Sequence, residues 1–185
     1  MNKNFFIYIS LIVLLFFVLR KNENFKIDAS NILCKYKIIN NQNEIINNLW
    51  LGNYKSSIDL DFLQKNHIDL IINLSKTLDF LDNDKIFKFR IPIHDNLSNE
   101  SNIGMIKYFD EAYELIDSYL KNNKGVLVHC KAGAQRSATL IALYLMKKNN
   151  IKSFLAKEYI QNKRCVAFFP MTNFQPVLDY FDNKN

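Results

Sequence analysis

Two apolar patterns divide the chain. Near its start, Phe5 to Leu19 is an almost unbroken apolar run, with Lys3 before it and Arg20 and Lys21 after it. From about residue 43 onward, apolar positions come in short runs and helical stripes separated by turn residues. Ile45 to Leu51 predicts a strand that turns at Gly52-Asn53, Asp59 to Asn66 a short helix, and Leu70 to Leu74 a buried strand. Ile86 to Ile93 alternates enough for another strand. Ser98 to Ser101 can cap a helix in which Ile103, Ile106, Phe109, Tyr113, Ile116 and Leu120 repeat at helical spacing. Lys124-Gly125 ends it, Val126 to Val128 reads as a central strand, and Ser137 to Lys147 as a helix buried on most sides. Ser153 to Asn162 and Asn173 to Phe181 supply two more helices. Strands alternating with helices around a buried apolar strand predict an α/β sheet flanked by helices.

The first 21 residues form a hydrophobic leader, and residues 22–42 are polar and Asn-rich, as a linker would be. One domain then fills residues 43–183. As a helix, Phe5 to Leu19 would span roughly 22 Å at about 1.5 Å per residue. A bilayer core needs nearer ~30 Å, so the run alone is marginal as a span, although flanking residues can snorkel. An uncleaved membrane anchor fits it best. A cleaved signal lacks a clear small-x-small site, and a terminal core helix lacks a polar face. Arg20 and Lys21 favour a cytoplasmic place for the domain that follows.

Composition narrows the class. With 185 residues, 49% hydrophobic and 14% aromatic, the chain has material for one packed core rather than a disordered polymer. A formal charge of +6 favours anionic partners such as phosphorylated substrates or membrane surfaces. There is no basic run dense enough to argue for nucleic acid. Cys34, Cys130 and Cys165 are odd in number and irregularly spaced, which fits neither a disulfide framework nor a zinc pattern. Cys34 and Cys165 read as small, partly buried thiols, and His67 and His94 as ordinary polar residues without ligand-spaced partners.

The chemistry concentrates in Val126-Leu127-Val128-His129-Cys130-Lys131-Ala132-Gly133-Ala134-Gln135-Arg136-Ser137-Ala138-Thr139. A buried strand runs into a short loop and the loop into an apolar helix. Such loops turn successive N–H groups inward at a helix N-terminus, so Lys131, Ala132, Gly133, Ala134 and Gln135 would cradle an anion through their backbone. Gly133 permits the tight curl, and Arg136 offers a planar fork for two phosphate oxygens. The same positive surroundings would lower the pKa of Cys130 and make its thiolate a nucleophile. Ser137 would stabilise that thiolate as a leaving group. His129 is expected to order the loop through hydrogen bonds rather than act as a base.

His129 to Ser137 resembles the Cys-x5-Arg signature of the protein tyrosine phosphatases, and the compact chain resembles their dual-specificity group over roughly residues 44–182. Ile45 to Gly52 is similar to that group's opening strand, Ile68 to Leu74 to its next strand, and Ser137 to Met146 to the helix after its catalytic loop. The resemblance implies a protein tyrosine phosphatase-like fold, with a central, mostly parallel sheet flanked by helices. It also implies hydrolysis through a cysteinyl-phosphate intermediate without metal or organic cofactor. A general acid is required, and Asp95 in Ile91-Pro92-Ile93-His94-Asp95-Asn96 matches the family's motif for it. Asp79, Asp82 and Asp84 compete but precede the strand. Two departures stand out: Gln135 where the family carries Ser, and Met171 and Asn173 at the Asn and Gly places of its Asn-x-Gly-Phe pattern.

The implied substrates are phosphotyrosine and phosphoserine or phosphothreonine in proteins. Lys131-Ala132-Gly133 also resembles the loops of phosphoinositide and phosphatidylglycerophosphate phosphatases, which makes an anionic phospholipid the alternative. Those loops place a second basic residue where this chain has Ala134. A non-catalytic phosphate-binding module is the rival from another class, and the presence of Cys130, Arg136, Ser137 and Asp95 together argues against it.

Overall fold

A computed structural model describes residues 40–184. The leader, its apolar run and Cys34 lie outside the described residues, as does all but the end of the linker. Among the described residues, no helix is long and apolar enough to cross a membrane.

The strands among the described residues are β1 (Gln42–Ile46), β2 (Leu49–Gly52), β3 (Ile68–Asn73), β4 (Phe87–Arg90) and β5 (Gly125–His129). The helices among the described residues are α1 (Tyr54–Ser57), α2 (Leu60–Lys65), α3 (Asn99–Lys121), α4 (Arg136–Asn149), α5 (Ser153–Lys163) and α6 (Gln175–Asp182). The sheet runs β1-β2-β5-β3-β4, antiparallel between β1 and β2 and parallel elsewhere. Gly52 pairs with His129, His129 with Asn73, and Asn73 with Arg90. The carboxyl ends of the four parallel strands therefore finish in one row, the edge of an open α/β sheet where binding sites form.

Strand side chains alternate between two cores, as the pleat requires. Leu49, Leu51, Leu70, Ile72, Val126 and Val128 join the larger core with residues of α3, α4, α5 and α6. Ile71 and Leu127 join a smaller one with Phe62 and Leu63 of α2, and Trp50 packs against it. Every residue of β5 is buried, and each of its three large apolar side chains is worth about 1.5–3 kcal/mol of burial. The element that delivers the loop is thus the best-anchored strand of the sheet. Helix α4 is buried from Arg136 to Met146, so the loop between them is fixed at both ends.

Three details differ from the sequence expectation. Ile45 to Leu51 is not one strand but a hairpin, because Asn48 adopts a left-handed φ of 64° and its N–H donates to Glu44 Oε1. Asn tolerates that conformation better than most residues. In α3 the buried stripe is Met105, Phe109, Ala112 and Ile116, whereas Ile103 is 65% exposed. Ala112, fully buried, takes a place in that stripe that a pattern of large side chains does not reveal. Finally, the chain is engaged before residue 43: Asn40 O and Asn41 O accept from Arg164 and Asn53, and Gln42 opens β1.

Candidate active site

The loop from Cys130 to Gln135 is held by its carbonyls. Lys131 O accepts from Tyr54 N, Ala132 O and Gly133 O from the Arg164 guanidinium, Ala134 O from Phe168 N, and Gln135 O from Thr139 N. Because each peptide is planar, five successive carbonyls turned outward turn the intervening N–H groups to the concave side. The N-terminus of the fourteen-residue α4 adds the positive end of its dipole there. Gly133 has a φ of 65°, and a Cβ at this position would collide with the backbone of Gly52. The tight curl predicted for Gly133 is therefore a steric requirement as well as a conformational one.

Cys130 lies at the base of this loop, 1% exposed. Its Sγ accepts from Ser137 Oγ at 3.2 Å and from Gly133 N at 3.3 Å. Burial is the largest single influence on the thiol and opposes ionisation. The Ser137 hydroxyl, the Arg136 charge and the Ser137 and Gly133 amides together outweigh it, so the pKa falls below the ordinary thiol range.

Arg136 is buried and reaches the strand-to-loop segment after β4: Nη1 donates to Ile93 O at 3.4 Å, and Nε stands 3.5 Å from Asp95 Oδ2. Asp95, with a side chain 29% exposed, is thereby brought to the same edge as Cys130. Its second oxygen accepts from Asn173 Nδ2 at 2.7 Å. Asp79, Asp82 and Asp84 are exposed on the connection ahead of β4. Lys131 and Ala132 are exposed at the loop's rim.

His129 is fully buried at the end of β5. Burial, opposed by the Cys130 backbone and aided by the charges of Arg90 and Arg136, pushes its pKa down to about 4. The ring is therefore neutral near pH 7. Cys165 is a free, half-buried thiol.

The sequence does not announce Arg164 or the role of the Gln135 side chain. Arg164, 2% exposed, grips Gly133 O, Ala132 O, Asn40 O and Asn43 Oδ1. In Asn-Lys-Arg-Cys it reads as a solvated charge, and nothing local signals otherwise. Gln135 is expected to contribute backbone to the cradle, yet its side-chain amide also donates to Phe169 O and Met171 O and accepts from Asn173 N.

A fully buried cysteine between a strand and a helix, an arginine at the helix start and a carboxylate from the loop after β4 thus meet at one edge of the sheet. The model of the dual specificity phosphatase catalytic domain matches residues 49–184, and the chain belongs to that family. The chain is 37% identical over 123 residues to dual specificity protein phosphatase 9 of Homo sapiens, covering 65% of this chain and 31% of that one. To dual specificity protein phosphatase 1B of Arabidopsis thaliana it is 31% identical over 140 residues, covering 75% and 80%. It overlays the crystal structure of DUSP15 with a TM-score of 0.70 at 29% identity, covering 77% and 88%. The chain spans about a third of the human relative's length.

Proposed function

We propose that this chain hydrolyses phosphotyrosine and phosphoserine or phosphothreonine in proteins through a cysteinyl-phosphate intermediate. The observation that carries the reading is the environment of the Cys130 sulfur, which receives two donors and lies within the field of Arg136, so that the buried thiol is driven toward thiolate. The loop amides and Arg136 bind the phosphoryl oxygens. The thiolate attacks phosphorus as the P–O bond to the leaving group breaks, and Asp95 gives that oxygen its proton. The Asp95 carboxylate then takes a proton from water. That water attacks phosphorus, the S–P bond breaks, and inorganic phosphate departs from a thiolate stabilised by Ser137.

The lipid alternative has less support. A phosphatase solved in complex with PI(5)P shares the fold at 20% identity, and Ala134 gives this loop no second basic residue. Attachment to a membrane rests on the sequence alone, through Phe5 to Leu19 with the catalytic domain on the cytoplasmic side.

The test is an assay of the full chain on an aryl phosphate without added metal, with phosphopeptides and phosphoinositides side by side. Turnover of the aryl phosphate and phosphopeptides, abolished by Cys130→Ser, is expected. Turnover that survives Cys130→Ser contradicts the mechanism, and a phosphoinositide turned over in preference to every phosphopeptide contradicts the substrate class.

A further inference from the structure

Gln135 and Asn173, two positions at which this chain departs from its family's pattern, are bonded to each other. Asn173 N donates to Gln135 Oε1 at 3.0 Å, and Gln135 Nε2 donates to Met171 O at 2.7 Å and Phe169 O at 3.2 Å. Gln135 is only 6% exposed, so water competes weakly for these bonds. One side chain of the phosphate loop thus fixes the segment from Phe169 to Asn173.

What that segment presents is an amide aimed at Asp95. Asn173 Nδ2 donates to Asp95 Oδ1 at 2.7 Å, while Oδ2 faces Arg136 Nε at 3.5 Å. The two carboxylate oxygens have different partners, and this defines the plane of a side chain whose neighbours His94, Asn96 and Leu97 are all exposed. With Oδ1 engaged as an acceptor, a proton on the acid is left to Oδ2, the oxygen on the Arg136 side.

We propose that Asn173 is the positioning residue of Asp95, holding its Oδ1 so that Oδ2 delivers the proton to the departing oxygen. The proposal rests on the reading of Asp95 as general acid. A nitrophenolate leaves well without a proton, whereas an unsubstituted phenolate is a poor leaving group without one. Loss of positioning therefore falls selectively on the poorer leaving group.

The experiment compares kcat/KM of the full chain on 4-nitrophenyl phosphate and phenyl phosphate for wild type, Asn173→Ala, Asp95→Ala and the double variant. kcat/KM is used because it excludes hydrolysis of the intermediate. Asn173→Ala is expected to lower the phenyl-to-nitrophenyl ratio roughly tenfold, a part of the ~100-fold or greater effect of a general acid. In the Asp95→Ala background it should leave the ratio unchanged. A merely structural role lowers both substrates alike, and that result overturns the proposal, as does a ratio shift that persists without Asp95. If Asp95→Ala itself leaves the ratio at the wild-type value, the acid assignment falls, and this is read without reference to Asn173.

Discussion

The hydroxyl of Ser137 stands 3.2 Å from the sulfur of Cys130, although seven positions separate the two residues. The loop between them curls back on itself, so the first residue of the cradle and the second residue of α4 meet at its base. A hydroxyl there favours the thiolate both before attack and after the S–P bond breaks.

Ser137→Ala should therefore raise the Cys130 pKa and slow release of the intermediate. A hydrogen bond to a charged group is worth about 1.5–3 kcal/mol, which corresponds to roughly tenfold or more in thiolate population. Alkylation of Cys130 by iodoacetate at pH 6 should slow by about that factor. The acid limb of kcat/KM should move to higher pH. An unchanged alkylation rate would show that Arg136 and the amides suffice.

Arg164→Lys tests the outward anchoring of the loop. A lysine cannot reproduce a fork that serves Gly133 O, Ala132 O, Asn40 O and Asn43 Oδ1. The buried Gly133 O left unpaired should cost about 1–3 kcal/mol, lowering Tm. Aryl phosphatase activity should fall although Arg164 turns its donors to carbonyls rather than into the cradle. Wild-type Tm and turnover in this variant would contradict the role.

Much of this was legible in the chain because local chemistry announces it. The run from Val126 to Val128, the Gly133 curl, Arg136 at a helix start and Ser98 capping α3 each follow from period, backbone freedom or capping. Arg164 and the Gln135 amide were not legible, because their partners lie 31 to 124 positions away in sequence or come from a loop without periodicity. The hairpin at Asn48 was hidden for another reason. An Asn pair inside an Asn-rich stretch carries little contrast, and only pairing of β1 with β2 distinguishes a turn from a continuous strand.

His129 gives a pH dependence with a definite sign. Its pKa is about 4 in the folded chain against an ordinary value of 6.5. Above pH 6.5 neither folded nor unfolded chain protonates it. As pH falls from 6.5 toward 4, the unfolded chain takes up a proton that the folded chain refuses, so stability declines over that window. His129→Asn should flatten the slope of Tm against pH there, and an equal slope in both proteins would place the titration elsewhere.

The central claim is that phosphate passes through Cys130. The most direct measurement mixes the full chain with an aryl phosphate, quenches during turnover and maps the covalent phosphoryl group by mass spectrometry. The account predicts a single phosphoryl group on the peptide containing Cys130, absent from Cys130→Ser and accumulating further in Ser137→Ala. A phosphoryl group on any other residue, or turnover with none formed, would contradict it.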